Sequence, residues 1–134
     1  MRAALLAVFL VCSSQASAAD TCQALNAFME SGVAPSVAGF AKPRCGQALS
    51  TDGKASTYCY WSFDFRADDA ADHMAALRKS VLQCGFQPGG SAGGAVNHPD
   101  SFDQELYERS GARLSLSLKD KGGLQKTLVF LRTN

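Results

Sequence analysis

Residues 57–86, TYCYWSFDFRADDAADHMAALRKSVLQCGF, decide how this chain folds. In the first half Cys59, Trp61, Phe63 and Phe65 alternate with Tyr58, Tyr60, Ser62, Asp64 and Arg66, the period of two expected of a strand with one apolar face. In the second half Ala70, Met74, Leu77, Val81 and Cys84 recur at steps of four and three, which is one stripe of a helix. Both cysteines fall on the apolar faces. From the turn near Ala67, Cys59 lies roughly 23 Å back along the strand and Cys84 roughly 24 Å forward along the helix, at the usual rise per residue. Equal reach predicts a disulfide between Cys59 and Cys84, which leaves Cys22 to join Cys45.

The start of the chain suggests where such bonds would form. Met1 and Arg2 precede an apolar run from Ala3 to Val11, and small or polar residues follow as far as Ala16, Ser17 and Ala18, the pattern of a cleavable export signal. The run is about half the roughly 20 residues that a spanning helix needs. Residues 1–18 therefore read as a signal peptide, with Ala19 as the alternative last residue removed, and residues 19–134 as a single periplasmic or secreted domain. Cys12 leaves with the signal, because Val11 stands where a lipid-attachment signal wants a small residue.

Removing the signal takes away Arg2 and Cys12, leaving twelve basic residues against twelve acidic ones and four cysteines. That balance argues against a dedicated nucleic-acid binder, whose domain is normally basic. An even cysteine count in an exported chain implies two disulfides. Each, closing about 25 residues in the pairing above, would contribute roughly 3 to 4 kcal/mol in the loop-entropy description. No C-x-x-C pair is present, so a structural zinc site is not expected.

Outward from the central stretch, residues 20–32 read as a first helix with the stripe Cys22, Leu25, Phe28 and Met29, stopped at Gly32, with Val33 packing back on Phe28. Residues 33–44 read as an irregular connection. A short strand follows over about 46–50, and the Asp52-Gly53 turn returns it antiparallel to the long strand 55–66. The second helix begins at Asp68, whose carboxylate would cap it, with Asp69 and Asp72 toward the positive end of the dipole. Gly85 stops it, and Phe86 folds back on Val81. Residues 87–101, QPGGSAGGAVNHPDS, hold four glycines and two prolines and read as an unstructured loop. Strands then follow over about 104–109, 112–119 and 124–132. The continuous run Leu128–Leu131 places the last of these in the middle of the sheet. The order is α-β-β-α-β-β-β, an α+β fold with a helix packed on one face of an antiparallel sheet, braced by two disulfides.

Neither histidine lies in a catalytic motif such as G-x-S-x-G or H-E-x-x-H. Asp64, Asp68, Asp69 and Asp72 are accounted for by the turn and the helix start. Asp69 and His73 share an i, i+4 spacing suited to a metal, but no third ligand stands nearby, and both read as solvated residues of the polar helix face. Gly89, Gly90, Gly93 and Gly94 lack the Lys-Ser/Thr ending of a phosphate loop. No catalytic residue, cofactor or metal is expected. Two sets of contact residues remain. Tyr58 and Tyr60 point away from Trp61 and are either covered by the first helix or exposed as an aromatic patch; Asn97, His98, Asp100 and Asp103 belong to or border the long loop.

The sequence thus leads to a small exported non-enzymatic binding protein, an inhibitor or immunity-type protein acting on another envelope or secreted protein. It binds no nucleic acid and makes no stable membrane insertion after cleavage. One alternative is a small-ligand carrier or sensor with a cavity lined by Trp61, Phe63, Met74 and Leu77. Another is a hydrolase whose site assembles in three dimensions around His73 or His98 as base.

Overall fold

The computed structural model describes residues 18–36, 40–49, 53–94 and 100–134. Apart from Ala18, the expected signal segment lies outside them. Two helices and six strands follow in the order α1 (Ala18–Ser31), β1 (Arg44–Leu49), β2 (Ala55–Asp64), α2 (Asp68–Gln83), β3 (Gln87–Gly94), β4 (Ser101–Arg109), β5 (Ala112–Lys121) and β6 (Lys126–Thr133), with a 3-10 turn at Gly122–Leu124. The strands form one sheet ordered β1-β2-β6-β5-β4-β3, every neighbouring pair antiparallel. The α+β fold with an antiparallel sheet is as the sequence implied, and the expected order α-β-β-α-β-β-β is extended by one strand, β3, directly after α2. β6 lies inside the sheet between β2 and β5, with Val129 and Leu131 buried on the helix side and Leu128 and Phe130 half-buried on the other.

Register fixes the two faces. Cys59 stands opposite Leu131, Trp61 opposite Val129, Leu116 opposite Leu131 and Tyr107 opposite Leu114, so these side chains share one face. Against it pack Ala70, Met74, Leu77 and Val81 of α2, Leu25 and Phe28 of α1, and Phe86, in one buried cluster. α1 lies on this same face: Cys22 is bonded to Cys84, Asn26 accepts from Arg109 Nη2 at 2.7 Å, and Gly32 abuts the Thr57 side chain. It does not cover Tyr58 and Tyr60.

The disulfides correct the expected pairing. They join Cys22 to Cys84 and Cys45 to Cys59, not Cys59 to Cys84. The reach along each element is as the sequence implied, but α2 crosses the sheet as it returns. Its His73 packs on Trp61 of β2, whereas Arg78 bonds Glu105 of β4 and the Cys84 carbonyl accepts from Arg109 of β4 at 2.8 Å. β2 and β4 are three strand spacings apart in the sheet, a lateral separation of about 14 Å. Cys59 meets the cysteine directly across the β1–β2 ladder instead.

Several local features differ from expectation. The residue capping α2 is Ala67, extended at φ −64° and ψ 140° and without a side-chain capping bond; Asp68 is the first helical residue, where its charge still suits the dipole. The chain reverses before it through Arg66 at φ +58°, whose N–H donates to Thr127 Oγ1 at 2.8 Å. Gly85, at φ +83°, provides the expected left-handed stop, and the Phe86 N–H returns to the Val81 carbonyl. Val33 is 55% exposed and does not staple α1. The first half of the expected loop 87–101 is strand β3, paired to β4 with a register shift between Pro88 and Gly90. An edge position tolerates proline and glycine in a strand, and a run of small residues carries no alternation by which to recognise one. The Asp52-Gly53 turn falls partly outside the described residues.

Candidate functional site

With both helices on one face, the other face of the sheet presents its own side chains. Three rows cross it. Tyr60, Phe130, Ser117 and Gln104 stand opposite one another in turn across β2, β6, β5 and β4; the row beside them holds Tyr58, Arg132, Ser115 and Leu106, and on the other side lie Ser62, Leu128, Lys119 and Phe102. Tyr60 stacks on Phe130 with ring centroids 5.2 Å apart, and Tyr58 lies 6.5 Å from Tyr60 and 6.3 Å from Phe130. Gly46 lets the Tyr58 ring lie down against β1, since a Cβ there would stand 2.8 Å from the tyrosine oxygen.

The cations on this face are set among the rings. Lys119 Nζ sits 4.6 Å from the Phe130 centroid and 5.2 Å from that of Phe102, close enough for cation–π attraction. Burial, and then the like charges of Lys121 and Arg132, hold its ammonium below the usual lysine range. Arg132 Nε donates to Ser56 Oγ at 2.8 Å. Carboxylates here are already matched: Asp64 with Lys126 at 2.9 Å and Glu108 with Arg113 at 3.1 Å. Lys119 and Arg132 have no carboxylate partner among the described residues. Asp68, Asp69 and Asp72 are exposed on α2, across the sheet. A nearly neutral chain thus carries segregated charge, which composition alone conceals.

Between the rows lies a hollow of about 170 Å³, lined by Tyr58, Gln104, Ser115, Ser117, Lys119, Phe130 and Arg132 with Ala48. Ser115 and Ser117 form its floor. Gln104 Nε2 reaches Ser117 Oγ at 3.5 Å, while Ser115 is buried and its Oγ has no hydrogen-bond partner among the described residues. A second cleft, of about 430 Å³, opens where β1 begins opposite Tyr60; Phe40, Lys42, Arg44, Trp61, Phe63 and Leu124 are among its walls. The Trp61 indole N–H closes part of it by donating to the Ala41 carbonyl at 3.0 Å.

The remaining contact candidates are not gathered here. Asn97 and His98 lie outside the described residues. Asp100 accepts from the Gly122 N–H at 2.8 Å and from Lys121 at 3.5 Å, so it shapes the 3-10 turn. Asp103 pairs with Leu118 and is exposed on the helix-bearing side of β4. His73 is not on the polar face of α2; it is fully buried, 4.3 Å from Phe40 and 4.4 Å from Trp61 between centroids, and burial pushes its imidazole down to about 4. Asp69, by contrast, is exposed, and no cluster of three potential ligands occurs among the described residues.

Phe130, Lys119, Arg132, Ser115 and Ser117 were absent from the sequence-derived set. The alternation of Arg113, Ser115, Ser117 and Lys119 with leucines marks one polar face of β5, yet only the register between β5 and β6 brings that face beside the tyrosines. Among the described residues no helix is long and apolar enough to cross a membrane. No family model, curated protein or solved structure matches this chain.

Proposed function

We propose that this is a small exported non-enzymatic binding protein, with residues 19–134 as a single domain released by cleavage near Ala18, and that it acts as an inhibitor or immunity-type protein on another protein of the bacterial envelope or its surroundings. The observation that carries the reading is the aromatic and cationic face formed by Tyr58, Tyr60, Phe130, Lys119 and Arg132, which neither helix covers. Tyrosine and arginine combine apolar area with polar tips and are enriched where proteins bind one another. Two disulfides suit an oxidising compartment.

The alternatives draw less support. Met74 and Leu77 are packed in the core and do not line the cleft walled by Trp61 and Phe63, so these four residues do not enclose one cavity for a carrier. Neither ring nitrogen of buried His73 has a hydrogen-bond partner among the described residues, whereas a general base needs a reachable proton; His98, the other base considered, lies outside those residues.

Capture from envelope extract with the mature, oxidised protein tests the proposal, using wild type beside a Tyr60→Ser, Phe130→Ser double variant. A stoichiometric partner retained by wild type and lost by the variant is expected. Recovery of none, or equal recovery by both, would overturn the reading.

A further inference from the structure

We infer that the hollow between Lys119 and Arg132 is a socket for a carboxylate, filled by a glutamate or aspartate side chain of a protein partner. This rests on the reading that the open face meets a protein, and it deepens that reading by naming the group recognised.

Two observations converge on it. Lys119 and Arg132 border the hollow on adjacent strands, without a carboxylate partner among the described residues. On the floor, Ser115 is 1% exposed and its Oγ has no hydrogen-bond partner among the described residues. A buried hydroxyl left unpaired carries a desolvation penalty that an incoming acceptor relieves. The cations, the Ser115 hydroxyl and the Gln104 amide supply donors for an anion in one small volume, and charge-assisted bonds of this kind are the stronger ones.

Size and surroundings select a side chain over a free metabolite. A hollow of about 170 Å³ is smaller than the several hundred Å³ usual for a small-molecule pocket. It is bordered by the rings of Tyr58 and Phe130, which offer apolar contact to the residues flanking an inserted side chain. A polar anchor surrounded by apolar contact that excludes water is the arrangement of an interface hot spot. An acidic anchor would also be steered by the cations gathered on this face.

The test needs no partner. The mature oxidised protein is titrated with N-acetyl-glutamate amide and followed by NMR, beside N-acetyl-glutamine amide, succinate, inorganic phosphate and oligothymidylate as separate arms. Saturable shifts centred on Ser115, Ser117, Lys119 and Arg132 are expected with the glutamate probe in the millimolar range. The glutamine analogue should bind about tenfold or more weakly, and Lys119→Met and Arg132→Met should each weaken the glutamate probe by about tenfold. Ser115→Ala, which only removes the hydroxyl, should weaken it a few-fold with the fold intact, and serves if a cation variant does not fold. The inference is overturned by absence of saturable shifts, by equal response to the glutamine analogue, or by tighter binding of succinate, phosphate or oligothymidylate at the same residues. Its failure is separable from that of the proposed function: a partner whose capture depends on Tyr60 and Phe130 but is indifferent to Lys119→Met would remove the socket and keep the interface.

Discussion

Cys45 and Cys59 stand opposite each other in the β1–β2 ladder with Cα atoms 4.0 Å apart, and a disulfide joins them. It ties the edge strand β1, which has a neighbour on one side only, to the buried strand beside it. The Cys22–Cys84 bond spans 62 residues and fastens α1 to the end of α2, so one bridge secures the sheet edge and the other secures the helix layer.

Non-reducing peptide mapping should recover Cys22 with Cys84 and Cys45 with Cys59. In the loop-entropy description, removing the first by a double Cys→Ala substitution should cost about 4 kcal/mol and removing the second about 3, the larger loss belonging to the longer loop. Chemical denaturation of the two variants measures the order. Equal recovery of a Cys59–Cys84 peptide would contradict the crossing of α2 over the sheet.

Much of this architecture was legible because it is local. The alternation through Trp61, the helical stripe through Leu77, the Gly85 stop and the interior position of β6 each follow from spacing within one element. The disulfide pairing was not, because it depends on the angle at which α2 crosses the strands, and two equal lengths measured from one turn do not reveal their divergence. β3 escaped because Gly and Pro carry no face. The open face was half legible: Tyr58 and Tyr60 stand out in the sequence, but their neighbours Phe130, Arg132 and Ser115 come from strands more than 50 residues away and are brought beside them by register alone.

The caged His73 gives the protein an acid sensitivity. Burial holds its imidazole near 4 against an ordinary value of 6.5. Between those values the unfolded chain binds a proton that the native protein does not, so this contribution is complete above about pH 6.5 and is lost as the pH falls toward about 4. The full loss corresponds to roughly 3 kcal/mol. His73→Leu, which removes two nitrogens without a hydrogen-bond partner among the described residues, should flatten stability across that window. Denaturant midpoints of both proteins, compared at neutral and mildly acidic pH, measure the difference. Glu105, held low mainly by its bond from Arg78, also loses stabilisation with acid, but below about pH 4.5, and it does so in both proteins.

Gly46→Ala probes the aromatic patch without touching the core. The new Cβ would meet the tip of the Tyr58 ring, at 2.8 Å from the oxygen and 3.0 Å from Cζ, and a flexible tip can swing away. Stability should change by less than about 1 kcal/mol, while the Tyr58 ring resonances shift and recovery of the partner falls. An unchanged Tyr58 environment would contradict the close approach of β1 to that ring.

The most direct measurement is the attenuation of side-chain resonances by a soluble paramagnetic probe in the mature, oxidised protein. The rings of Tyr58 and Tyr60 should be attenuated strongly, and those of Trp61, Phe28 and Phe86, which are buried in the core between sheet and helices, should be protected. Tyrosine rings as protected as Trp61 would mean that the second face of the sheet is covered, and the binding surface assigned to it would not exist.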